Sequence, residues 1–320
     1  MNKSVKLLLI IATLLILVGC IIFVIIIASS NWDFSKLNTN NYQTNTYEFD
    51  EEISDLSIKT DTAKIVLLPS ETEKCKVVCY EKTKIKHLTT LSNGVLTVEV
   101  VDSRKWYEYL DISFSSPNIT IYLPKTEFNS LKIKASTGDI EIPKDFKFEN
   151  ANISLSTGDC SFYATVSNET KITTSTGDVV IGDAILNSIE VSVSTGKISL
   201  SNIQCKNVTS NGKTGDVILK NVITEEKICI ERSTGDVKLE NLNANEIVIN
   251  TSTGNVKLEN SDANEITINT STGNVTGSLL TEKVFIIDTD TGKKDVPKTI
   301  TGGRCEVTTS TGDIKFSIKN

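Results

Sequence analysis

The chain has 320 residues, a formal net charge of −7 and 39% hydrophobic residues, so it is long enough to bury a large core or two stacked units. Arginine occurs three times and the charge balance is acidic, which disfavours nucleic acid as a partner. His87 is the single histidine and the seven cysteines form no Cys-x-x-Cys pair, so neither a zinc site nor any other cofactor is expected.

Residues 1–6, with Lys3 and Lys6, read as a cytoplasmic N-terminus, and residues 7–28 as a transmembrane signal anchor. That span is uncharged and almost entirely Leu, Ile, Val and Phe. As a helix it reaches ~33 Å, enough for a bilayer core of about 30 Å. It exceeds the apolar run of about 7–15 residues usual in a cleaved signal peptide. The lysines keep its start in the cytoplasm, so the rest of the chain lies outside, with Trp32 at the interface. Leu17-Val18-Gly19-Cys20 also resembles a lipobox, which would make the protein a lipoprotein through Cys20. The apolar run continuing over Ile21–Ile27 favours the uncleaved anchor, and either route gives an outer-face location.

Residues 29–46 are Asn/Thr-rich and read as a linker. Residues 47–130 contain strand-like runs without a clear period, among them Lys64–Leu67, Val95–Val100 and Asn118–Leu123, and are expected to cap the C-terminal part of the chain. Cys75 and Cys79 stand ~13 Å apart along a strand, too far to bridge. Trp106, Tyr107 and Tyr109 form the densest aromatic cluster outside the anchor. Such residues can stack on sugars, which makes them binding candidates, although filling the cap core is their commoner role.

Residues 131–320 are governed by a repeat. Thr-Gly recurs with Gly at 138, 158, 177, 196, 215, 235, 254, 273, 292 and 312, always nineteen or twenty residues apart. A constant period of this length predicts a solenoid, whose coils bury their faces by stacking. Apolar residues stand two and four places after most glycines, as in Ile140/Ile142 and Val217/Leu219. Others stand seven and five before, as in Leu131/Ile133 and Ile247/Ile249. Spacing by two puts each pair on one face of a strand. Six places after Gly, Asp183, Asn202, Asn221, Asn241 and Asn260 mark corners, where Asn tolerates left-handed backbone and stacked amides can bond one another. The fold expected is therefore all-β: a parallel β-solenoid of about ten coils with a strand-rich N-terminal cap and one transmembrane helix.

Ile53–Ile58, the Pro-Ser-Glu turn at 69–71, Ile121-Tyr-Leu-Pro124 and Leu131–Ile140 occur in an order that resembles the bacterial putative-adhesin family of β-strand-repeat proteins, over about 45–318. The resemblance implies a cell-envelope β-solenoid with no established biochemical activity and no catalytic motif.

Following Gly, Asp139, Asp159 and Asp178 are candidate calcium ligands, because carboxylates about 4.8 Å apart on neighbouring coils repel and could share a cation. Local turn chemistry explains the same residues, and Lys197 and Lys293 interrupt the column. Thr-x-Thr pairs in five coils suggest an ice-binding ladder, but Thr also stacks well in parallel columns. No nucleophile elbow, phosphate loop or acid cluster in a groove is present. A non-enzymatic adhesin-like binding or scaffold role is thus expected, with a surface glycan or protein of the envelope as partner. An envelope-stress or regulatory accessory and a carbohydrate-active β-helix enzyme are the alternatives. The strand ending at Phe316-Ser-Ile318 is expected to leave an open edge through which the C-terminal coil could self-associate.

Overall fold

In the computed structural model, residues 3–29, 31–32, 41–106 and 115–319 are described. One helix, Lys3–Ser29, is long and apolar enough to cross a membrane. Most of the rest of the described chain is a parallel β-solenoid, with antiparallel strands at its N-terminal end.

Each regular coil has three strand segments rather than two. Residues 179–182 pair with 198–201, 184–185 with 203–204, and 188–195 with 207–214, all parallel and in register. The bend between the first two segments is the Asn corner. Asp183, Asn202, Asn221, Asn241 and Asn260 all have φ between 48° and 54°. Their side chains form the anticipated ladder, with Asn202 Nδ2 donating to Asp183 Oδ1 at 2.8 Å and Asn221 Nδ2 to Asn202 Oδ1 at 2.8 Å. The other bend is the Thr-Gly turn. Gly177 has φ 132°, and a Cβ there would lie 1.9 Å from the carbonyl oxygen of Gly158, so neither its backbone nor its space admits a side chain.

The core runs the length of the solenoid and consists of the inward columns. Ile140, Cys160, Val179, Ile198, Val217, Val237 and Val256 lie in one such line and are buried. At about 25 cal/mol per Å² this continuous apolar burial is the main stabilising term. Because each coil alone has an unburied face, it is available only to the stack. Phe128, Phe146 and Phe148 add a buried aromatic cluster at the start, with centroids 5.6–6.4 Å apart.

The solenoid begins earlier than the Thr-Gly period indicates. Strand Asp55–Thr62 pairs in parallel with Glu127–Thr137, placing Leu56 beside Leu131 and Ile58 beside Ile133. Ala63 occupies the turn position. Its N–H donates to Thr137 O, just as the Gly138 N–H donates to Thr157 O. Residues 55–69 are therefore a coil set inside the stretch expected to be an aperiodic cap. Beyond them the end is closed by antiparallel strands. Cys75–Lys82 runs against Asn118–Leu123, and Tyr42–Phe49 runs against Cys75–Lys82. On the other sheet Ile85–Ser92 runs against Val95–Asp102 through an Asn93-Gly94 hairpin.

The far end departs from chain order. Val256–Thr272 pairs with Gly303–Thr311, and Val275–Leu279 pairs with Ile314–Ile318. Lys283–Thr291 pairs on the other side of Gly303–Thr311. The C-terminal coil is thus inserted between the Gly273 and Gly292 coils, with Ile314 and Lys315 paired on both sides and Phe316–Ile318 paired only with Gly277–Leu279. The outermost strand beside Gly303–Thr311 is Lys283–Thr291, so the end of the stack offers this edge as well as the one expected at Phe316–Ile318. Sequence order and spatial order differ because parallel pairing depends on matching columns, not on adjacency in the chain.

Candidate functional site

The turn column has a structural occupation. Asp139 Oδ1 accepts the N–H of Asp159 at 3.0 Å, Asp159 Oδ1 that of Asp178 at 2.8 Å, and Asp178 Oδ1 that of Lys197 at 2.8 Å. Asn255 and Asn274 do the same for the coils stacked on them. Asp and Asn are interchangeable here because each supplies one acceptor to the next coil. One oxygen of each of the Asp139, Asp159 and Asp178 carboxylates is thus engaged by backbone, which gives the column a structural role without any cation.

Trp106 is 84% exposed, so it does not fill the cap core. Tyr107 and Tyr109 lie outside the described residues.

The long side of the rod carries a shallow groove of about 560 Å³, lined among others by Ile185, Gln204, Lys206 and Ile223. It lies on the second strand segment, where Ile185 stacks in register on Gln204 and Gln204 on Ile223. Ile185 is 64% and Ile223 52% exposed, apolar side chains on a face where the solenoid needs none. Outward alternation from the buried Ala184, Leu186, Ile203 and Val222 places them there. The inward columns that mark the repeat give no sign of this strip.

Inside the N-terminal closure sits a polar cluster in an otherwise apolar core. Glu81 and His87 are buried. His87 Nδ1 lies 2.8 Å from Glu81 Oε2, which also accepts the His87 backbone N–H at 2.5 Å. His87 Nε2 lies 2.8 Å from Thr60 Oγ1, and Asn45 Nδ2 donates to Glu81 Oε1 at 2.5 Å. Cys79 is on the same face of its strand as Glu81, two residues away. Burial, with a smaller contribution from the Glu81 charge, pushes its thiol up to about 12. A cavity of about 360 Å³ is lined by Thr60, His87 and Lys82 among others. Cys79 and Glu81 share a strand, while His87, Thr60 and Asn45 come from three others, so the chain alone does not bring the five together.

A family profile described as Toastrack DUF4097 matches residues 53–239, 172–296 and 223–320. The chain belongs to this family. No curated protein matches it. Among solved structures, a "putative adhesin" from Parabacteroides distasonis ATCC 8503 is similar at 12% identity and TM-score 0.42, covering 87% of this chain and 98% of that one. A "putative adhesin" from Bacteroides fragilis NCTC 9343 is similar at 15% identity and TM-score 0.31, covering 86% and 97%. A "putative lipid binding protein" from Parabacteroides distasonis ATCC 8503 gives 12% identity and TM-score 0.33, covering 87% and 98%. None of these superpositions is close enough to carry an inference about ligands. Family membership accords with the resemblance carried by Ile53–Ile58 and Leu131–Ile140.

Proposed function

We propose that this Toastrack-family protein is a membrane-anchored, extracytoplasmic and non-enzymatic binding or scaffold protein of the bacterial envelope. Helix Lys3–Ser29 is the tether and the long side of the rod presents the binding surface. The in-register strip Ile185–Gln204–Ile223 supports this reading, because exposed apolar residues flanked by polar ones are typical of surfaces that meet a partner. The regular acids support it too, since they serve neighbouring coils and do not converge on a reacting atom. The partner class is a surface glycan or protein of the envelope.

The full-length chain in detergent should retain envelope material from a cell-wall fraction or a glycan array. Retention should fall at least tenfold in an Ile185→Asp/Ile223→Asp variant with an unchanged melting temperature. Equal retention by both proteins would remove the groove from the proposal. Release of reducing sugar from wall polysaccharide would replace the proposal with the enzymatic alternative.

Self-association is a second reading, supported by the strand Lys283–Thr291 in addition to the open side of Phe316–Ile318. Lys283–Thr291 pairs on one side with Gly303–Thr311 and exposes Val284 and Ile286. Ile286→Lys should lower the sedimentation coefficient if copies join there and leave it unchanged if they do not.

A further inference from the structure

We propose that Cys79, Glu81 and His87 form a zinc-binding site inside the N-terminal closure of the solenoid. The Cys79 Sγ, a Glu81 carboxylate oxygen and a His87 ring nitrogen all lie within 4.8 Å of one another, and all three residues are buried. Among the described residues this is the one place where three such donors meet. Thiolate, carboxylate and imidazole together suit a borderline-soft divalent cation. Tetrahedral zinc with bonds of about 2.0–2.3 Å has ligand–ligand edges of roughly 3.3–3.7 Å. Moving from the present spacing to that geometry requires side-chain adjustments and no strand movement.

The partners of the three donors are those a zinc site needs. A metal-ligating histidine gives its other ring N–H to an acceptor, which fixes ring orientation. With Nδ1 on the metal, His87 Nε2–H donates to Thr60 Oγ1, already 2.8 Å away. A ligating carboxylate is likewise held through its second oxygen, and Asn45 Nδ2 holds Glu81 Oε1. The Thr89 hydroxyl neighbours the Cys79 sulfur. Three protein ligands leave the fourth position to water, reached from the cavity that Thr60 and His87 line.

Binding releases the Cys79 thiol proton, while the proton between His87 Nδ1 and Glu81 Oε2 moves to Nε2, where it faces Thr60 Oγ1. The cation replaces the shared proton as the centre holding the His87 and Glu81 side chains together. Asn45 and Thr60 belong to different strands from the ligands, so the ion ties the Tyr42–Phe49 edge and the first coil to the Cys75–Ser92 hairpin.

Full-length protein produced in zinc-supplemented medium and purified in detergent without chelator should carry one zinc per chain by elemental analysis. Cobalt substitution should give a thiolate-to-cobalt charge-transfer band in the near ultraviolet and tetrahedral ligand-field bands. Cys79→Ser should abolish the charge-transfer band. Thr60→Val and Asn45→Ala, which touch no ligand bond, should weaken zinc by about 10–100-fold while the β signal in circular dichroism persists. Substoichiometric zinc, or a cobalt spectrum indifferent to Cys79→Ser, would overturn the site and leave a closed hydrogen-bonded network. A Thr60→Val protein with unaltered zinc affinity would overturn the role given to Thr60. Neither result bears on the groove at Ile185.

Discussion

Lys283 reaches past the coil that separates them to pair with Asp262, Nζ to Oδ1 at 2.6 Å, and is only 2% exposed in doing so. Lys283 is in the outermost strand, Asp262 belongs to the Gly273 coil, and Gly303 lies between their strands. The close approach of the Gly303 and Asn264 backbones on this path admits only glycine at 303. A Cβ there would stand 2.1 Å from the carbonyl oxygen of Asn264. The ion pair is therefore a clamp over the inserted C-terminal coil.

Removing one member of a buried pair leaves the other charge uncompensated. Lys283→Met should destabilise the protein by about 3 kcal/mol, and Lys283→Met/Asp262→Leu should recover most of the loss. Urea denaturation of the two variants measures the difference. Equal loss in both would mean that Lys283 acts through packing alone.

Truncation after Gly302 tests the inserted coil directly. Strand Lys283–Thr291 would lose its partner Gly303–Thr311. Amides of residues 283–295 should then exchange freely although they precede the deletion. If coils followed chain order, those amides would stay protected. Hydrogen exchange by mass spectrometry separates the two results.

Gly212 and Arg232 are a matched pair. Arg232 is buried, donates from Nη1 to Val193 O at 3.1 Å, and finds no partner for Nε and Nη2 among the described residues. Burial lowers its pKa, with the Asp216 charge opposing. A Cβ on Gly212 would lie 1.6 Å from Nη1 and 2.3 Å from Val193 O. Gly212→Ala should cost ~2–4 kcal/mol, partly recovered by Arg232→Met in the same chain. Arg232→Met alone should be neutral or stabilising by ~1 kcal/mol, because it removes a buried charge with few partners. Thermal denaturation of the three variants checks the order.

Buried thiols set an alkaline limit. Burial pushes Cys160 from 9.0 up to about 12. Its proton is held more tightly in the folded state, so the stabilisation is fully present below about pH 9 and is lost as pH rises towards 12. The loss is on the order of 4 kcal/mol across that window. Cys160→Val should show a smaller fall in urea midpoint between about pH 8 and pH 11. A fall equal to wild type would place the alkaline sensitivity elsewhere.

Thr-Gly spacing and the Val/Ile columns disclose the solenoid, because both are local signals repeated in phase. The Asn corners are legible for the same reason, since left-handed backbone restricts the residue at that place. The coil at Ala63 is hidden because Ala replaces the glycine that marks every other turn. The insertion of residues 303–318 is hidden because all coils offer nearly the same columns, so composition cannot say which neighbours which. Cys79, Glu81 and His87 look isolated in the sequence because the hairpin that joins them has no period. Ile185 and Ile223 escape notice there because an outward apolar residue has no signature until its inward neighbours are known.

The N-terminal end is finished by antiparallel strands and the other by a clamped insertion, so all variation in length falls to the middle. Residues 243–256 and 262–275, Asn-Ala-Asn-Glu-Ile-Val-Ile-Asn-Thr-Ser-Thr-Gly-Asn-Val and Asp-Ala-Asn-Glu-Ile-Thr-Ile-Asn-Thr-Ser-Thr-Gly-Asn-Val, differ at two places. They pair directly, each Ile and Thr on its counterpart. A further copy of this unit could enter between them, adding about 4.8 Å and leaving both ends untouched. The rod's span can thus be changed one coil at a time, and because the repeated unit follows Ile185–Ile223 in the stack, the added length falls beyond the groove and leaves its distance from the N-terminal closure unaltered.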